Sequence, residues 1–182
     1  IGFHIPAALW TILWVKLMGL SNTWIGMFST VSGIMSFLTY TQWGRWCEKH
    51  GNQKVFLITS GAHILFPLLY GHSRSPYLHL AVNALGGFFG AGLNLSIFNA
   101  LLDVSGDVSR PTYAAVYNIT LGISAFIWPV IGVSLYKLLG MTATLDLTVG
   151  IRVVGLLLAA YLLSDEMRGK KEELVRTDAH SD

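Results

Sequence analysis

"WGRWCEKHGNQK", residues 43–54, is an island of charge between two long apolar runs. It holds Arg45, Glu48, Lys49, His50 and Lys54. The run before it ends "IMSFLTYTQW" and the run after it opens "VFLITSGAHILF". A connector between two membrane helices has these flanks, because the charges must stay in water while the runs enter hydrocarbon.

The whole chain supports that reading. Of 182 residues, 53% are hydrophobic and 12% charged, about half the charge of an ordinary soluble domain. A membrane protein is expected. The net charge of +2 is too small to suggest a nucleic-acid partner. A single cysteine, Cys47, excludes an intrachain disulfide and any multi-cysteine metal site. The chain opens on Ile1, inside an apolar run without Met or a basic leader. The expectation is a longer protein whose preceding part is absent here.

A helix needs about 20 apolar residues to cross a bilayer. Six such runs are predicted, at 1–18, 23–43, 53–71, 77–102, 112–136 and 145–164. The fold class is an all-α integral membrane bundle over 1–164, with a charged tail over 165–182. Ser21, Asn22 or Thr23 can cap the second helix and Asn52 the third. Ser75-Pro76 and Arg110-Pro111 put proline in a first turn, where its missing N–H is not needed. Pro67 and Pro129 fall inside spans, where neighbouring groups can satisfy the freed carbonyls.

With six spans both ends share one side. That side carries Arg45, Lys49, Lys54, Arg110, Arg168, Lys170, Lys171 and Arg176, against Lys16, Arg74 and Lys137 on the other. Positive charge marks the cytoplasmic face. The expected location is the plasma or inner cell membrane, multi-pass, with both ends cytoplasmic.

Within 43–54 the spacing reads G-x-x-x-E-K-x-G-x-x-K, from Gly44, Glu48, Lys49, Gly51 and Lys54. It resembles the cytoplasmic loop signature of the major facilitator superfamily, G-x-x-x-D-R-x-G-R-R/K, which joins the second and third helices of each six-helix half. Here too it joins the second and third helices. Glu48 stands for the usual Asp, Lys49 for Arg, and Lys54 alone for the basic pair. "NALLDVSGDVSRPTYAAVYNITLGISAFIWPVIGVSLYKLLG", residues 99–140, is similar to the fourth-to-fifth helix connection of the C-terminal half. The resemblance covers all six runs. It implies a C-terminal six-helix half built of two three-helix repeats.

Chemistry can be assigned to the loop residues directly. Gly44 lets a neighbouring helix approach. Glu48 can face the positive N-terminus of the fifth helix or pair with Arg110. Gly51 can supply a turn at positive φ. Lys49 and Lys54 can reach helix-end carbonyls or lipid phosphates. These contacts make a latch that exists only when the cytoplasmic ends are together. The alternative is a solvated connector that merely obeys the charge rule.

Polar groups inside spans are costly and therefore candidates for function. In the family, the first, second, fourth and fifth helices line the cavity. By that resemblance His4, Trp10, Trp14, Asn94 and Asn118 are candidate substrate contacts. The alternative for the asparagines is hydrogen bonding between helices. His63 and Arg152 sit on the third and sixth helices, off the expected solute path; Arg152 is expected to pair with a neighbour or reach outward. Gly86-x-x-x-Gly90 is a candidate close-contact motif.

No zinc-site, nucleophile-elbow or phosphate-loop motif is present in the sequence. An enzyme is not expected, and no cofactor or metal is called for. The expected activity is alternating-access transport of a small solute. The partners expected are the substrate, a coupling ion such as the proton, the absent N-terminal half, and membrane lipids. The rival readings are a six-helix scaffold or intramembrane enzyme, and a half-size carrier acting as a homodimer.

Overall fold

A computed structural model describes residues 3–105 and 110–178, with side chains through 164 apart from that of residue 104. Six helical segments follow one another: α1 (Ala7–Thr11, continuing as a π-helical stretch Ile12–Leu17), α2 (Asn22–His50), α3 (Asn52–His72), α4 (Pro76–Val104), α5 (Arg110–Leu139) and α6 (Met141–Asp178). No strand occurs among the described residues.

Helix boundaries follow local chemistry. Arg45, Glu48 and Lys49 are good helix formers, so α2 runs straight through the charged island. It stops only at Gly51, whose φ of 83° is open to glycine at little cost. The expected 43–54 connector is therefore helix apart from this one residue. Gly51, not Asn52, stands at the N-cap of α3, and no side-chain cap forms there. Ser21 is the N-cap residue of α2, also without a side-chain cap bond. Ser75-Pro76 starts α4 as expected. At the other end of the bundle Gly140, again at φ 83°, is the only residue between α5 and α6. The expected tail is helical as far as Asp178.

Among the described residues, four helices are long and apolar enough to cross a membrane: Asn52–His72, Pro76–Asp103, Arg110–Leu139 and Met141–Ser164. The 29-residue α2 has the length, but Ser29, Thr30, Ser32, Ser36, Thr39, Thr41 and Gln42 dilute its apolar character. The predicted first span is cut short. Residues 3–6 form turns, and the apolar helical segment is Ala7–Leu17. At 1.5 Å per residue that segment covers roughly half of a ~30 Å hydrocarbon core.

Packing is strongest between α2 and α4, then between α3 and α4 and between α3 and α6; α5 leans on α1. Lipid tails are as apolar as leucine, so close backbone approach and interhelical hydrogen bonds hold such a bundle. The α2–α4 crossing has both. A Cβ on Gly87 would overlap the Ser32 carbonyl, and one on Gly92 would stand 2.5 Å from the Trp43 ring. Ser36 Oγ donates to the Gly87 carbonyl at 2.8 Å, and Trp43 Nε1 to the Phe88 carbonyl at 2.7 Å. Gly90 has no neighbour within 4 Å of its Cβ position. The expected pairing of Gly86 with Gly90 is thus replaced by Gly87 and Gly92. On α5, Gly132 admits the Ile5 carbonyl in the same way. One core cluster gathers Leu9, Leu13, Phe66, Tyr70, Val82, Met141 and Leu145; another gathers Trp43, Cys47, Val55 and Ala91.

Candidate functional site

At the Gly51 end, α2, α3 and α4 enclose a hollow of about 390 Å³. Gly44, Cys47 and Glu48 line one side, and Leu95, Asn99, Leu102 and Asp103 the other, with Asn52 between them. Asn52 Nδ2 donates to Asp103 Oδ2 at 2.8 Å, and Asn99 Nδ2 donates to Asn52 Oδ1 at 3.2 Å. Asn52 thus ties α3 to α4 instead of capping its own helix. A Cβ on Gly44 would lie 3.9 Å from Leu95, an ordinary contact with room for a methyl. Glu48, Lys49 and Lys54 are exposed, and Arg110 opens α5. Cys47 is buried, and its thiol pKa is raised, first by that burial and then by the negative charge of Glu48.

The five candidate solute contacts fall in two places. Trp10 and Trp14 stack with ring centroids 6.4 Å apart, and both touch Tyr70. They sit against the first core cluster. His4 is partly buried in the turn before α1. Asn94 and Asn118 are exposed, and among the described residues neither amide has a hydrogen-bonding partner. Asn94 precedes the end of α4 by ten residues, and Asn118 follows the start of α5 by eight. At 1.5 Å per residue both lie about 12–15 Å from the same end of the bundle.

His79, which the sequence did not single out, anchors the aromatic cluster. It is fully buried. Trp14 Nε1 donates to its Nδ1 at 2.9 Å, and its Nε2 lies 3.1 Å from the Ser73 carbonyl. An indole N–H only donates and a carbonyl only accepts. The ring is therefore neutral with its proton on Nε2. This chain of two bonds links the π-helical stretch of α1 to the α3–α4 turn. Residues 14 and 79 share no periodicity, so sequence spacing held no signal for the pair.

Arg152 lies near the middle of the apolar Met141–Ser164 part of α6. Nη1 donates to the His63 carbonyl, and the guanidinium carbon stands 4.5 Å above the Phe3 ring. His63 Nδ1 lies 2.8 Å from the Thr59 carbonyl. Arg152 thus engages neighbours on α3 and in the turn before α1, as expected of a charge within a span.

No curated protein matches the chain at a significant level. The family described as Major Facilitator Superfamily matches residues 2–181, nearly the entire sequence. It is a family of multi-pass membrane transporters for small solutes, and the apolar helices and helix-only architecture agree with it. The chain belongs to the Major Facilitator Superfamily.

Proposed function

We propose that the chain is the C-terminal six-helix half of a secondary carrier that moves a small solute by alternating access. The observation that carries this reading is a symmetry in the helix pairing. Exchange α1–α3 with α4–α6, and the α2–α4 pair becomes α5–α1, while α3–α6 maps on itself. All three are packed pairs, and α2–α3 maps on the packed pair α5–α6; α3–α4 departs from the pattern, because its image α6–α1 is not closely packed. The one-residue turns at Gly51 and Gly140 also exchange, and they lie at opposite ends of the bundle. Two three-helix repeats of inverted orientation have these properties. The reading counts six spans, with α1 and α2 contributing two.

α5 supports the second element of the proposal. Its cytoplasmic half, from Arg110 to Ile127, is exposed almost all round. A second six-helix bundle facing α5 would cover that surface and enclose Asn94 and Asn118 between the halves. His4, in the turn before α1, and Trp10 and Trp14, packed against Tyr70, would extend that space toward the Gly140 end of the bundle. Both ends are taken as cytoplasmic in the plasma or inner membrane, on the eight-to-three excess of basic residues. Gly44, Glu48, Lys49, Gly51, Lys54 and Arg110 then form the latch at the cytoplasmic face. A proton or another ion is the coupling species.

The test is uptake by the full-length carrier, screened against sugars, organic acids, peptides and drugs. With a substrate in hand, Asn94→Ala and Asn118→Ala should lower uptake about five- to tenfold at unchanged membrane abundance, the loss of one site hydrogen bond. Normal uptake in both variants would remove the asparagines from the solute path. Glu48→Gln should speed cysteine labelling along the cytoplasmic ends of α2 and α5. Unchanged labelling leaves the loop a plain connector.

A further inference from the structure

We infer that α3 and α6 form a second binding site, on the bilayer-facing side, for the carboxyl group of a single-chain fatty acid. A cavity of about 420 Å³ opens there, within the size range of small-molecule sites. Phe3, Phe56, Leu156, Leu158 and Ala159 give it apolar walls, and Ser60 and Arg152 supply polar groups. The site lies on helices that the family-based reading keeps away from the transported solute.

Ser60 is the first observation that points to a ligand. It is only 8% exposed, and its Oγ has no hydrogen-bonding partner. Several helical threonines turn back to the carbonyl four residues earlier: Thr39 to Met35, Thr59 to Val55, Thr144 to Gly140, Thr148 to Thr144. Ser60 does not. A hydroxyl buried without a partner is costly, and this one lines the cavity.

Arg152 is the second. Its guanidinium lines the same cavity while keeping its contact with the His63 carbonyl. A guanidinium has five N–H donors in a planar fork that matches a carboxylate.

Depth and access select the ligand. Arg152 is eleven residues from the start of the Met141–Ser164 span and twelve from its end, about 16–18 Å from either boundary. A phospholipid headgroup is tethered to the interface by its bulk and charge. A fatty acid has one small carboxyl group and crosses hydrocarbon when protonated. Val154 and Leu158 flank the opening and are more than half exposed, so entry is sideways from the bilayer. A Cβ on Gly155 would meet nothing within 4 Å; this glycine leaves the space open.

The test uses the full-length carrier in detergent with a diazirine-bearing palmitate. Crosslinks should fall on peptides of α3 and α6. Palmitate should compete; its methyl ester should do so at least tenfold less well. Ser60→Ala should weaken labelling about tenfold, equivalent to ~1.4 kcal/mol, while leaving thermal stability without ligand unchanged or higher. Gly155→Leu fills the cavity and should abolish labelling. Arg152→Gln should weaken it strongly, and the other two variants keep the test decisive if this one folds poorly. Equal competition by the methyl ester would make the cavity a generic lipid groove and overturn the inference. So would stronger competition by phosphatidylglycerol, or unchanged labelling in Ser60→Ala and Gly155→Leu.

Discussion

Gly87→Ala is the sharpest probe of the bundle. The added Cβ would overlap the Ser32 carbonyl oxygen and stand 2.8 Å from the carbonyl carbon and 2.9 Å from Cα. Ordinary contact begins at 3.4 Å, and the overlap with the oxygen, the shortest of the three, means that α2 and α4 must part by about 1 Å. That movement stretches the Ser36–Gly87 and Trp43–Phe88 bonds, now 2.8 and 2.7 Å, toward the limit of useful geometry. Overpacking of this kind costs about 1–3 kcal/mol. Two weakened intramembrane hydrogen bonds add roughly 0.6 kcal/mol each. Alanine returns up to about 1 kcal/mol of helix propensity. The net loss is about 1–3 kcal/mol. Gly90→Ala is the control, because its Cβ would meet nothing within 4 Å; it receives the propensity gain alone. The variants then differ by about 2–4 kcal/mol, and at roughly 2–4 °C per kcal/mol their melting in detergent should differ by roughly 4–16 °C. If Gly87→Ala melts with Gly90→Ala, the tight α2–α4 crossing is not what holds the helices together.

Three further outcomes are expected. Trp14→Phe keeps an aromatic side chain, though a smaller one, and leaves His79 Nδ1 without its donor; it should cost at least about 1–2 kcal/mol in a thermal melt, and a parental melting temperature would mean the bond is idle. Cys47 should react slowly with maleimide at neutral pH, since a raised thiol pKa lowers the thiolate fraction. Glu48→Gln removes one cause of that rise and should speed the reaction, while an unchanged rate would refute the coupling. Cys47 is too buried to report membrane sidedness, so exposed Lys49→Cys in a Cys47→Ser background takes that role. It should be labelled by an impermeant reagent only after permeabilisation, and labelling in intact cells would reverse the orientation.

The long apolar runs made α3 to α6 legible, because hydrocarbon thickness sets their length. The ends of α2 and α6 were not, since Arg45–His50 and the residues after Ser164 are charged yet favour helix. Charge marks where water begins and says little about where a helix stops; Gly51 does that through its backbone. The glycine-rich character of α4 was visible, but a four-residue spacing picked Gly86 and Gly90. The actual crossing uses Gly87 and Gly92, five apart, because the bulky Trp43 ring fills the gap beside the second. Asn52 looked like a cap from its position, whereas its amide is spent on Asp103 and Asn99 across the bundle. The Trp14–His79 bond and the shared cavity of Ser60 and Arg152 depend on tertiary juxtaposition, which no local pattern encodes.

Gly51 and Gly140 have a mechanical consequence. With one residue at each joint, the α2–α3 and α5–α6 hairpins have no slack. In the proposed alternating-access cycle, tilting one leg would pull on the other through its single-residue joint. The two joints sit at opposite ends of the molecule, and the second legs, α3 and α6, lie side by side. Opening of one end would then be felt at the other through that seam. Lengthening either joint by a single residue would turn the following helix by roughly 100°, pulling Asn52 off Asp103 at one hinge or Thr142 off the Gly71 carbonyl, now 3.3 Å away, at the other.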